Sequence, residues 1–255
     1  MSKTILITGS TDGIGLLTAK TLSAQGHTII LHGRSAAKLK AAAHELGDGG
    51  SQAYEADLSS LEATAELADA VRADHDYIDV LINNAGVLRV ADPILPNGLD
   101  VRFVVNTLAP YALTKSLLPI IPKDGRIINL SSAAQATVDI DSLKGGFRLN
   151  DMDAYAQSKR AITIWSQELA RELPEGPVVL AVNPGSLLAS KMVKEGFGIA
   201  GNDLQIGADI LCRLALDETF SNASGKYWDN DAGGFAPVSS AHEQDLMNAI
   251  AALIQ

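Results

Sequence analysis

Short apolar runs alternate with longer amphipathic stretches along the 255-residue chain. The apolar runs are rich in β-branched residues, as is typical of strands that helices cover on both faces of a parallel sheet. This pattern predicts strands at Thr4–Thr8, Thr28–His32, Gln52–Ala56, Ile78–Asn83, Arg126–Leu130 and Val178–Asn183, with a last short strand at Lys226–Trp228. Helical periodicity predicts helices at Ile14–Gln25, Ala36–Leu46, Leu61–Asp74, Gly98–Leu118, Met152–Glu172, Ala208–Asp217 and His242–Ile254.

The alternation of strands and helices indicates βαβ units, which right-handed crossovers join into a doubly wound sheet. We therefore predict an α/β protein with a Rossmann fold: one domain over residues 1–255, about seven parallel strands, and helices on both faces. Such folds bind ligands beyond the carboxyl ends of the strands. Two irregular stretches follow strand ends: Asp139–Asp151 is interpreted as a loop, and Leu187–Gly207 as a loop or helical lid beside the substrate.

Composition argues against several classes of function. A formal charge of −10 and a pI near 4.9 disfavour nucleic acid, whose phosphates need clustered Lys and Arg. The single cysteine, Cys212, lies in an apolar run, is expected in the core and cannot form an internal disulfide. The five histidines are scattered singly, so no metal site is predicted. No apolar stretch approaches the roughly 20 residues of a membrane span, and the expected location is cytoplasmic.

A glycine-rich turn connects the first predicted strand to the first helix, with the spacing Gly9-x-x-x-Gly13-x-Gly15. In a dinucleotide site the first glycine permits the tight turn, the second admits the diphosphate, and the third packs helix against strand. Free amides at the helix start then favour the phosphate anions. The alternative is a plain strand-to-helix turn. For a dinucleotide we predict contacts from Gly9, Ser10, Thr11, Gly13, Ile14 and Gly15.

The end of the second strand bears on which nicotinamide dinucleotide binds. A site for NAD places Asp or Glu about 20 residues beyond the glycine turn, to accept the ribose 2′-hydroxyl. This chain has Gly33 and Arg34 there, and a guanidinium can hold a 2′-phosphate by charge-assisted hydrogen bonds. We therefore predict NADP(H) as the cofactor. The alternative is that Arg34 is a surface residue at the start of the next helix.

With the glycine turn, the later motifs closely resemble those of the classical short-chain dehydrogenase/reductase family. They follow one another in the family's order over roughly residues 3 to 192. The resemblance implies an NADP(H)-dependent oxidoreductase that interconverts a carbonyl and an alcohol by hydride transfer. The matching motifs are Asp57-Leu58, Asn83-Asn84-Ala85-Gly86, Asn106, Ser132, Tyr155-x-x-x-Lys159 and Pro184-Gly185.

The resemblance also implies further cofactor contacts. In the family, the Asp that matches Asp57, followed here by Leu58, contacts the adenine ring. Asp57 could instead cap the helix that starts near Leu61, a role for which Ser59 and Ser60 compete. The segment that matches Asn84, Ala85 and Gly86 lines the cofactor ribose.

Pro184-Gly185 resembles the family turn that closes over the nicotinamide. The family's usual threonine some residues later is not obvious in this chain. Ser186 and Ser190 are the nearest hydroxyls, so the contacts to the carboxamide stay open.

Four residues are the predicted catalytic set. Tyr155 and Lys159 lie four apart on a predicted helix and so share one face. A nearby ammonium favours the tyrosinate, which suits Tyr155 to act as general acid and base, and by resemblance Lys159 also holds the nicotinamide ribose. A hydroxyl at the end of the fifth strand can orient the substrate oxygen, and the family pattern assigns this role to Ser132 and leaves Ser131 structural.

Asn106 is the fourth member. Pro110 has no N–H, so the helix is expected to be distorted at Asn106, whose carbonyl needs another donor. The family's matching Asn holds a water in a proton relay to the Lys. A kink made only for packing is the alternative, and the two interpretations are compatible.

Ser132 and Tyr155 are 23 residues apart, wider than in the commonest bacterial members of the family. The intervening Gln135–Arg148 segment resembles the longer loop of retinol dehydrogenase-like members. With Leu187–Phe197 it could roof a pocket for a bulky hydrophobic carbonyl or alcohol, or it could be a surface loop with no bearing on substrate.

By resemblance, the helix of Tyr155 pairs with its symmetry mate in a homodimer or homotetramer. The helix carries Ile162, Ile164, Trp165 and Leu169, and Trp165 would then lie in the interface. These residues could equally be core residues. Two rival functions remain: a protein that senses NADP(H) without turnover, which usually lacks the tyrosine or the lysine, and a sugar-nucleotide epimerase, which normally needs a longer C-terminal part.

Overall fold

The structure, a computed structural model, describes residues 1–47, 52–238 and 243–254. Within these residues eight strands form one sheet in the order β3-β2-β1-β4-β5-β6-β7-β8. All neighbours are parallel except β7 and β8. The strands are β1 (Thr4–Ile7), β2 (Thr28–Gly33), β3 (Gln52–Glu55), β4 (Val80–Asn83), β5 (Arg126–Leu130), β6 (Val178–Asn183), β7 (Tyr227–Asp229) and β8 (Gly234–Ala236).

The predicted doubly wound α/β fold is confirmed, with one strand more than the pattern indicated. The added strand, β8, has only three residues, Gly234–Ala236, and no apolar run that would mark it in the sequence. The chain order reverses at β1, which pairs with β2 on one side and with β4 on the other. This reversal opens a crevice beyond the carboxyl ends of β1 and β4, where such sheets bind ligands.

Ten helices flank the sheet in the described part of the chain. A π-helical turn, Val104–Leu108, joins the fourth to the fifth, and 3-10 turns lie at Leu118–Ile120 and Glu218–Phe220. The helices are α1 (Gly13–Ala24), α2 (Ala36–Leu46), α3 (Leu61–Asp74), α4 (Val101–Phe103), α5 (Ala109–Leu117), α6 (Ile140–Leu143), α7 (Asp151–Glu172), α8 (Lys191–Phe197), α9 (Leu204–Leu216) and α10 (Glu243–Leu253).

The sheet separates two apolar cores, because successive side chains of a strand point to opposite faces. In β1, Leu6 belongs to one core, whereas Ile5 and Ile7 belong to the other. The first core includes residues of α3, α5, α7 and α10, and the second includes residues of α1, α2 and α9. Cys212 lies in the second core, as expected, and burial raises the pKa of its thiol to about 12.

Polar side chains cap the helix starts that the sequence predicted. Ser60 accepts a hydrogen bond from the amide of Ala63 and caps α3, which decides the question of the cap in favour of Ser60. The carboxylate of Asp57 accepts from the amide of Ser59 instead, at 3.0 Å. Asn150 caps α7, the helix that carries Tyr155.

Three predictions were wrong. The predicted helix Gly98–Leu118 begins only at Val101 and passes through the π turn, where the amide of Ala109 bonds to the carbonyl of Val104, five residues back. The distortion lies just before Pro110, as its missing N–H led us to expect. The other two differences are α6 within the predicted loop Asp139–Asp151 and the start of α9 at Leu204. The stretch Leu187–Gly207, predicted as a loop or helical lid, contains the short helix α8.

Other boundaries move less. The fourth strand begins at Val80, two residues after the predicted Ile78. The tenth helix begins at Glu243 among the described residues, and the predicted first residue, His242, lies outside them.

The residue expected at a dimer interface lies inside this chain. Trp165 is fully buried and packs edge-on against Tyr111, with ring centroids 5.3 Å apart. Ile162, Ile164 and Leu169 are buried in the same core. Helix α10, near the C-terminus of the chain, also packs against α7. The core interpretation is therefore correct for these four residues, and they no longer support a homo-oligomer.

None of the helices in the described part of the chain is long and apolar enough to cross a bilayer.

Candidate active site

The glycine turn packs directly against the segment that follows β4. A Cβ on Gly15 would stand 2.4 Å from Asn84 Nδ2, and one on Gly9 would stand 3.0 Å from the Cα of Ala85. Asn84 Nδ2 donates to the carbonyls of Thr8 and Gly9, at 2.8 and 3.1 Å. The amides of Asn84 and Ala85 both donate to the hydroxyl of Thr8 at 3.0 Å. The predicted cofactor residues of β1 and β4 therefore meet.

The middle of the turn is open. Gly13 has a φ of +53°, and the nearest heavy atom to a Cβ placed there is Cβ of Ser190, at 4.0 Å. The preceding residue, Asp12, caps α1 by accepting from the amide of Gly13 at 2.8 Å. Ile14 is half-buried beneath Gly207 of α9, whose own Cβ would lie 3.3 Å from Ile14. The start of α1 therefore packs against α9 through Ile14, whereas the space beside Gly13 is open.

The side chain of Ser10 forms its hydrogen bonds within the protein. Its hydroxyl is fully buried and accepts from the amide of His32 at 2.9 Å, while the amide of Ser10 donates to the His32 carbonyl. The hydroxyl of Ser10 is therefore already bonded to the end of β2. Of the two hydroxyls predicted to contact the cofactor, that of Thr11 is the more exposed. The side chain of Thr11 covers Gly33, because a Cβ on Gly33 would stand 2.6 Å from Thr11 Cγ2.

His32 ties the turn to two strands, a role that the sequence pattern did not suggest. Its Nδ1 accepts from the amide of Gly9 at 3.2 Å, and its Nε2 lies 3.2 Å from the carbonyl of Ala56. A carbonyl can only accept, so the ring proton is on Nε2. Burial lowers the pKa of His32 to about 4, so the ring is neutral at pH 7. The only sequence signal is a histidine at the end of an otherwise apolar strand.

Arg34 is exposed at the carboxyl end of β2. Within the described residues it forms no ion pair, in contrast to its neighbour Lys38, which contacts Asp12 at 3.2 Å. Asp57 and Leu58 follow β3 on the same edge, with Leu58 buried in the core and Asp57 exposed. A free cation therefore stands where the sequence predicted a contact to a 2′-phosphate.

Tyr155 and Lys159 lie together in the second half of the crevice. Lys159 is 4% exposed, its Nζ is 5.7 Å from the centre of the Tyr155 ring, and it donates to the carbonyl of Leu130 at 2.7 Å. Burial lowers the pKa of Lys159 to about 7. Burial raises the pKa of Tyr155, and a hydrogen bond with Ser132 opposes that rise. In this geometry the favourable bond to the phenol comes from Ser132, and the ammonium bonds elsewhere.

The two serines at the end of β5 have different surroundings. The hydroxyl of Ser131 is buried, donates to the carbonyl of Lys159 at 2.8 Å and lies 2.6 Å from the hydroxyl of Thr163. Ser132 is half-buried and faces Tyr155, and its hydroxyl accepts from the amide of Ala134 at 3.1 Å. The structure thus separates a hydroxyl inside the packing from one that faces the phenol.

Asn106 lies within the π turn and is completely buried. Its Oδ1 accepts from the amide of Val87 at 2.8 Å, and its Nδ2 donates to the carbonyl of Val87 and the hydroxyl of Ser158. Gly86 borders the same space: a Cβ there would stand 3.3 Å from Asn106 Oδ1 and 3.4 Å from Lys159 Nζ. The predicted relay residue and the predicted cofactor glycine are therefore neighbours.

A buried arginine connects the π-helical region to the start of α7. Arg102 is fully buried and donates through Nε to Asp100 at 2.8 Å and through Nη2 to the other carboxylate oxygen at 2.5 Å. Its Nη1 donates to Asp151, the first residue of α7, at 2.5 Å. This network contacts α7 at its first residue, one turn before Tyr155. No pattern in the local sequence predicted it.

The turn after β6 is held by acidic residues at the end of β7 and just beyond it. Asn183 Nδ2 donates to Asp229 and Asp231, at 2.8 Å each. Ser186 donates to Asp231 through both its amide and its hydroxyl. Ser190, the other nearby hydroxyl, accepts from the amide of Val193 and caps α8. Both hydroxyls that stood in for the family's threonine therefore have partners within the chain.

Helix α8 reaches across the crevice. Near its start Ser190 approaches Gly13, and Met192 Cε lies 3.9 Å from the position of a Cβ on Gly86. At the far end a Cβ on Gly196 would stand 2.9 Å from Leu88 Cδ2. The predicted lid is thus a short helix that covers the space between the glycine turn and the loop after β4.

No group of three or more His, Cys, Asp or Glu side chains that could hold a metal ion occurs among the residues the structure describes.

Comparisons with known proteins agree with this arrangement. The model of the family described as short chain dehydrogenase matches residues 3–197. Retinol dehydrogenase 13 from Homo sapiens is 33% identical over 96% of this chain and 81% of its own. A solved structure of an uncharacterised protein from Mycobacterium Paratuberculosis has a TM-score of 0.78 at 29% identity, covering 98% of this chain and 90% of that one. A short chain dehydrogenase from Shigella flexneri, solved with NADP, has a TM-score of 0.71 at 27% identity, covering 90% and 97%.

The fold and the crevice define a nucleotide-binding oxidoreductase with a Rossmann fold. The chain belongs to the short-chain dehydrogenase family, with retinol dehydrogenases among its relatives, as the spacing of its motifs suggested. Members of this family bind nicotinamide cofactors and interconvert CH–OH and C=O groups on small molecules.

Proposed function

We propose that the protein is an NADP(H)-dependent oxidoreductase in which Tyr155 exchanges a proton with the oxygen of a small carbonyl or alcohol substrate. The observation that supports this proposal is the meeting of Ser132, Tyr155 and Lys159 at the carboxyl edge of the sheet, with Asn106 and Gly86 beside them. We treat residues 1–255 as a single NADP(H)-binding domain, because one sheet carries both the glycine turn and these residues.

The residues at this edge fit a dinucleotide. Gly13 has no described neighbour closer than 4.0 Å to a Cβ position, so its backbone can be approached by a diphosphate, with the start of α1 supplying amides. Gly86 has no side chain to fill the space in front of Lys159 and Asn106. We assign binding of the cofactor to these residues and to the turn at Pro184-Gly185, with Asp57 and Leu58 at the adenine end.

Arg34 is the residue that favours NADP(H) over NAD(H). Its guanidinium lacks an ion-pair partner among the described residues, and it lies where a carboxylate would repel a 2′-phosphate. Gly33 leaves no carboxylate at the strand end, and Thr11 covers it with a hydroxyl-bearing side chain. A relative solved with NADP has the same fold, which supports this preference.

The catalytic chemistry divides among four side chains. When bound, the nicotinamide supplies or takes up the hydride at the substrate carbon. In reduction the phenol of Tyr155 donates its proton to the developing alkoxide, and in oxidation the tyrosinate takes that proton back. The hydroxyl of Ser132 holds the substrate oxygen beside the phenol, which stabilises the charge that develops there.

Lys159 and Asn106 support the tyrosinate. When Lys159 is protonated, its positive charge favours ionisation of Tyr155. Burial lowers the pKa of Lys159 to about 7. Asn106 Oδ1 and Lys159 Nζ border the same space at Gly86, so we assign Asn106 to the proton relay that connects Lys159 with its surroundings. In oxidation the proton accepted by Tyr155 leaves by this route.

We propose a hydrophobic carbonyl or alcohol as the substrate. The covering helix brings Met192 to the edge of the catalytic space, and Leu88 packs beneath its far end. Leu187, in the segment that follows the turn after β6, is exposed, and so is Phe147 in the segment before α7. A relative named retinol dehydrogenase supports the same chemical class. The alternative, a loop with no bearing on substrate, predicts no preference for apolar aldehydes over polar ones.

The test is turnover of purified protein with a panel of aldehydes at fixed NADPH or NADH. The panel pairs all-trans-retinal and decanal with the polar glyceraldehyde, and the decrease in nicotinamide absorbance is followed. We expect NADPH oxidation with the apolar aldehydes and little with glyceraldehyde. Nicotinamide fluorescence titrations measure binding of both cofactors without turnover. Tight binding of NADPH with no turnover of any aldehyde would favour the sensing alternative, and binding of neither cofactor would contradict the proposal.

A further inference from the structure

A second tyrosine reaches the catalytic centre from the C-terminal part of the chain. Tyr227 is the first residue of β7, beyond residue 197, where the match to the family model ends. Its side chain is buried, with 6% of its surface exposed. Its phenol donates to the backbone carbonyl of Ser132 at 3.0 Å. Ser132 is the residue whose hydroxyl bonds to Tyr155.

The same carbonyl receives a second donor. Gln135 Nε2 donates to the carbonyl of Ser132 at 3.0 Å, and Gln135 also bonds to the phenol of Tyr227. Two donors on one carbonyl restrict rotation of the peptide that follows Ser132. The hydroxyl of Ser132 can then keep a constant direction, although it lies where the chain leaves β5 for a loop.

Tyr227 is itself held firmly. It pairs with Ala181 of β6, a strand inside the sheet. Two residues further along β7, Asp229 accepts from Asn183 at the carboxyl end of β6. The ring of Tyr227 therefore has its position set by the sheet and not by the loop that it contacts.

We propose that Tyr227 is a positioning residue: its phenol anchors the backbone of Ser132 so that the Ser132 hydroxyl stays bonded to the phenol of Tyr155. This inference rests on the proposed function, in which that bond serves proton transfer. Tyr227 itself contacts no reacting atom in the arrangement described. It acts through Ser132.

Removal of the Tyr227 phenol should change the pKa of Tyr155, whereas removal of the phenol of a merely structural tyrosine should not. The hydrogen bond from Ser132 lowers the pKa of Tyr155 and opposes the effect of burial. Loss of the Tyr227 phenol should loosen Ser132, weaken that bond and raise the pKa of Tyr155. In the direction of alcohol oxidation, which requires the tyrosinate, the pH profile should move to higher pH.

The experiment replaces Tyr227→Phe, which removes one oxygen and keeps the ring. The matched control is Tyr111→Phe, because Tyr111 has the same 6% exposure and packs in the core against Trp165. We expect Tyr227→Phe to lower kcat for decanal reduction about tenfold, the loss expected for one hydrogen bond in the transition state, with NADPH affinity unchanged. Tyr111→Phe should stay within about twofold of the wild type.

A spectroscopic readout makes the test independent of the substrate. Ultraviolet difference titration of each protein against its own Tyr155→Phe partner isolates the ionisation of Tyr155, and this pKa should be higher in Tyr227→Phe than in the wild type. The same pKa in Tyr227→Phe and Tyr111→Phe, together with equal kcat, would overturn the inference. Retained turnover in Tyr155→Phe alone would instead overturn the proposed function, so the two failures are distinguishable.

Discussion

The glycine turn and the catalytic centre share one edge of the sheet, yet they hold their buried bases in different ways. Beneath the turn, burial lowers the pKa of His32 to about 4, and both ring nitrogens have backbone partners. In the catalytic half, burial lowers the pKa of Lys159 to about 7, with one bond to the carbonyl of Leu130. His32 is therefore neutral throughout the neutral range, whereas Lys159 changes charge within it.

This difference matches what each half has to do. A cofactor turn needs a constant geometry, and a histidine that stays neutral keeps accepting from the amide of Gly9. A proton-transfer site needs a group that can change its charge near the working pH. Desolvation lowers the pKa of both bases. The ordinary pKa of histidine is already below 7, so the lowered value of His32 lies well below neutral pH, whereas the pKa of Lys159 falls from 10.5 to about 7.

The largest effect is expected from Tyr155→Phe. Without the phenolic proton, kcat for aldehyde reduction should fall by about a thousandfold, within the range for general acid catalysis. NADPH affinity, measured by fluorescence titration, should change less than about twofold, since the ring remains. Tyr77→Phe is the control, because Tyr77 is 57% exposed. Turnover at the wild-type rate would remove Tyr155 from its proposed role.

Arg34→Asp should separate the two cofactors. Replacing a guanidinium with a carboxylate removes charge-assisted hydrogen bonds to a 2′-phosphate and adds repulsion, so NADPH affinity should fall about a hundredfold. NADH affinity should change less than about threefold. Lys40→Asp makes the same change of net charge on the exposed side of α2 and serves as the control. Equal losses for both cofactors would contradict the role of Arg34 as selector.

His32→Leu tests whether the neutral ring supports the turn. The amide of Gly9 would lose its acceptor, so NADPH should bind about tenfold more weakly, with kcat at saturating NADPH almost unchanged. Since burial lowers the pKa of His32 from 6.5 to about 4, the unfolded chain binds a proton in that interval that the folded chain does not. Wild-type stability should therefore fall as pH drops from about 6.5 to 4, and this part of the pH dependence should be absent in His32→Leu.

The control for that variant is His44→Leu, since His44 is an exposed residue of α2. It should leave both NADPH affinity and the pH dependence of Tm near those of the wild type. If His32→Leu also binds NADPH with wild-type affinity, the ring has no part in shaping the turn.

Lys159→Met also tests the burial of the lysine through the stability of the protein without cofactor, where the expected effect is the smallest of the four. Burial lowers the pKa of Lys159 from 10.5 to about 7, so between these values the unfolded chain binds the extra proton and wild-type stability should rise with pH. Lys159→Met should have a higher Tm than the wild type at pH 7, by roughly a few degrees, and the difference should shrink toward pH 10. Thermal denaturation from pH 7 to pH 10 measures this, with Lys40→Met as the exposed control.

An increase in Tm for Lys40→Met of the same size would show that the effect comes from net charge. A Lys159→Met variant that is less stable than the wild type at every pH would show that packing around the lysine outweighs its desolvation.

Much of the fold could be predicted because its signals are local. The apolar runs of β1, β2 and β5 and the periodicity of α2 and α3 extend over consecutive residues, and their observed bounds match the prediction to within a residue. Where the signal was short or mixed the prediction was wrong, as for α6 and β8. Three or four residues cannot carry a clear period, and their conformation depends on what they pack against.

In the candidate site, too, the features with a local signal were predicted and those that depend on distant residues were not. The glycine turn is contiguous, so its spacing alone indicated a nucleotide. The assignment of the serine hydroxyls depended on neighbours: Ser131 bonds to Thr163, and Ser132 faces Tyr155. Neither contact could be inferred from two adjacent serines at a strand end. Trp165 was ambiguous for the same reason, until its burial and its packing against Tyr111 showed that it lies in the core.

The sequence by itself determined the doubly wound α/β class, the position of the glycine turn and the identity of the short-chain dehydrogenase motifs, because each of these is encoded in consecutive residues or in their order. Only the tertiary structure decided which distant groups meet. It brought His32 beneath Gly9, Arg102 to the start of α7 and Tyr227 to the carbonyl of Ser132, across 23, 49 and 95 residues respectively. Such contacts are set by how strands are ordered in the sheet, and side chains far apart in the chain carry no local pattern that reports it.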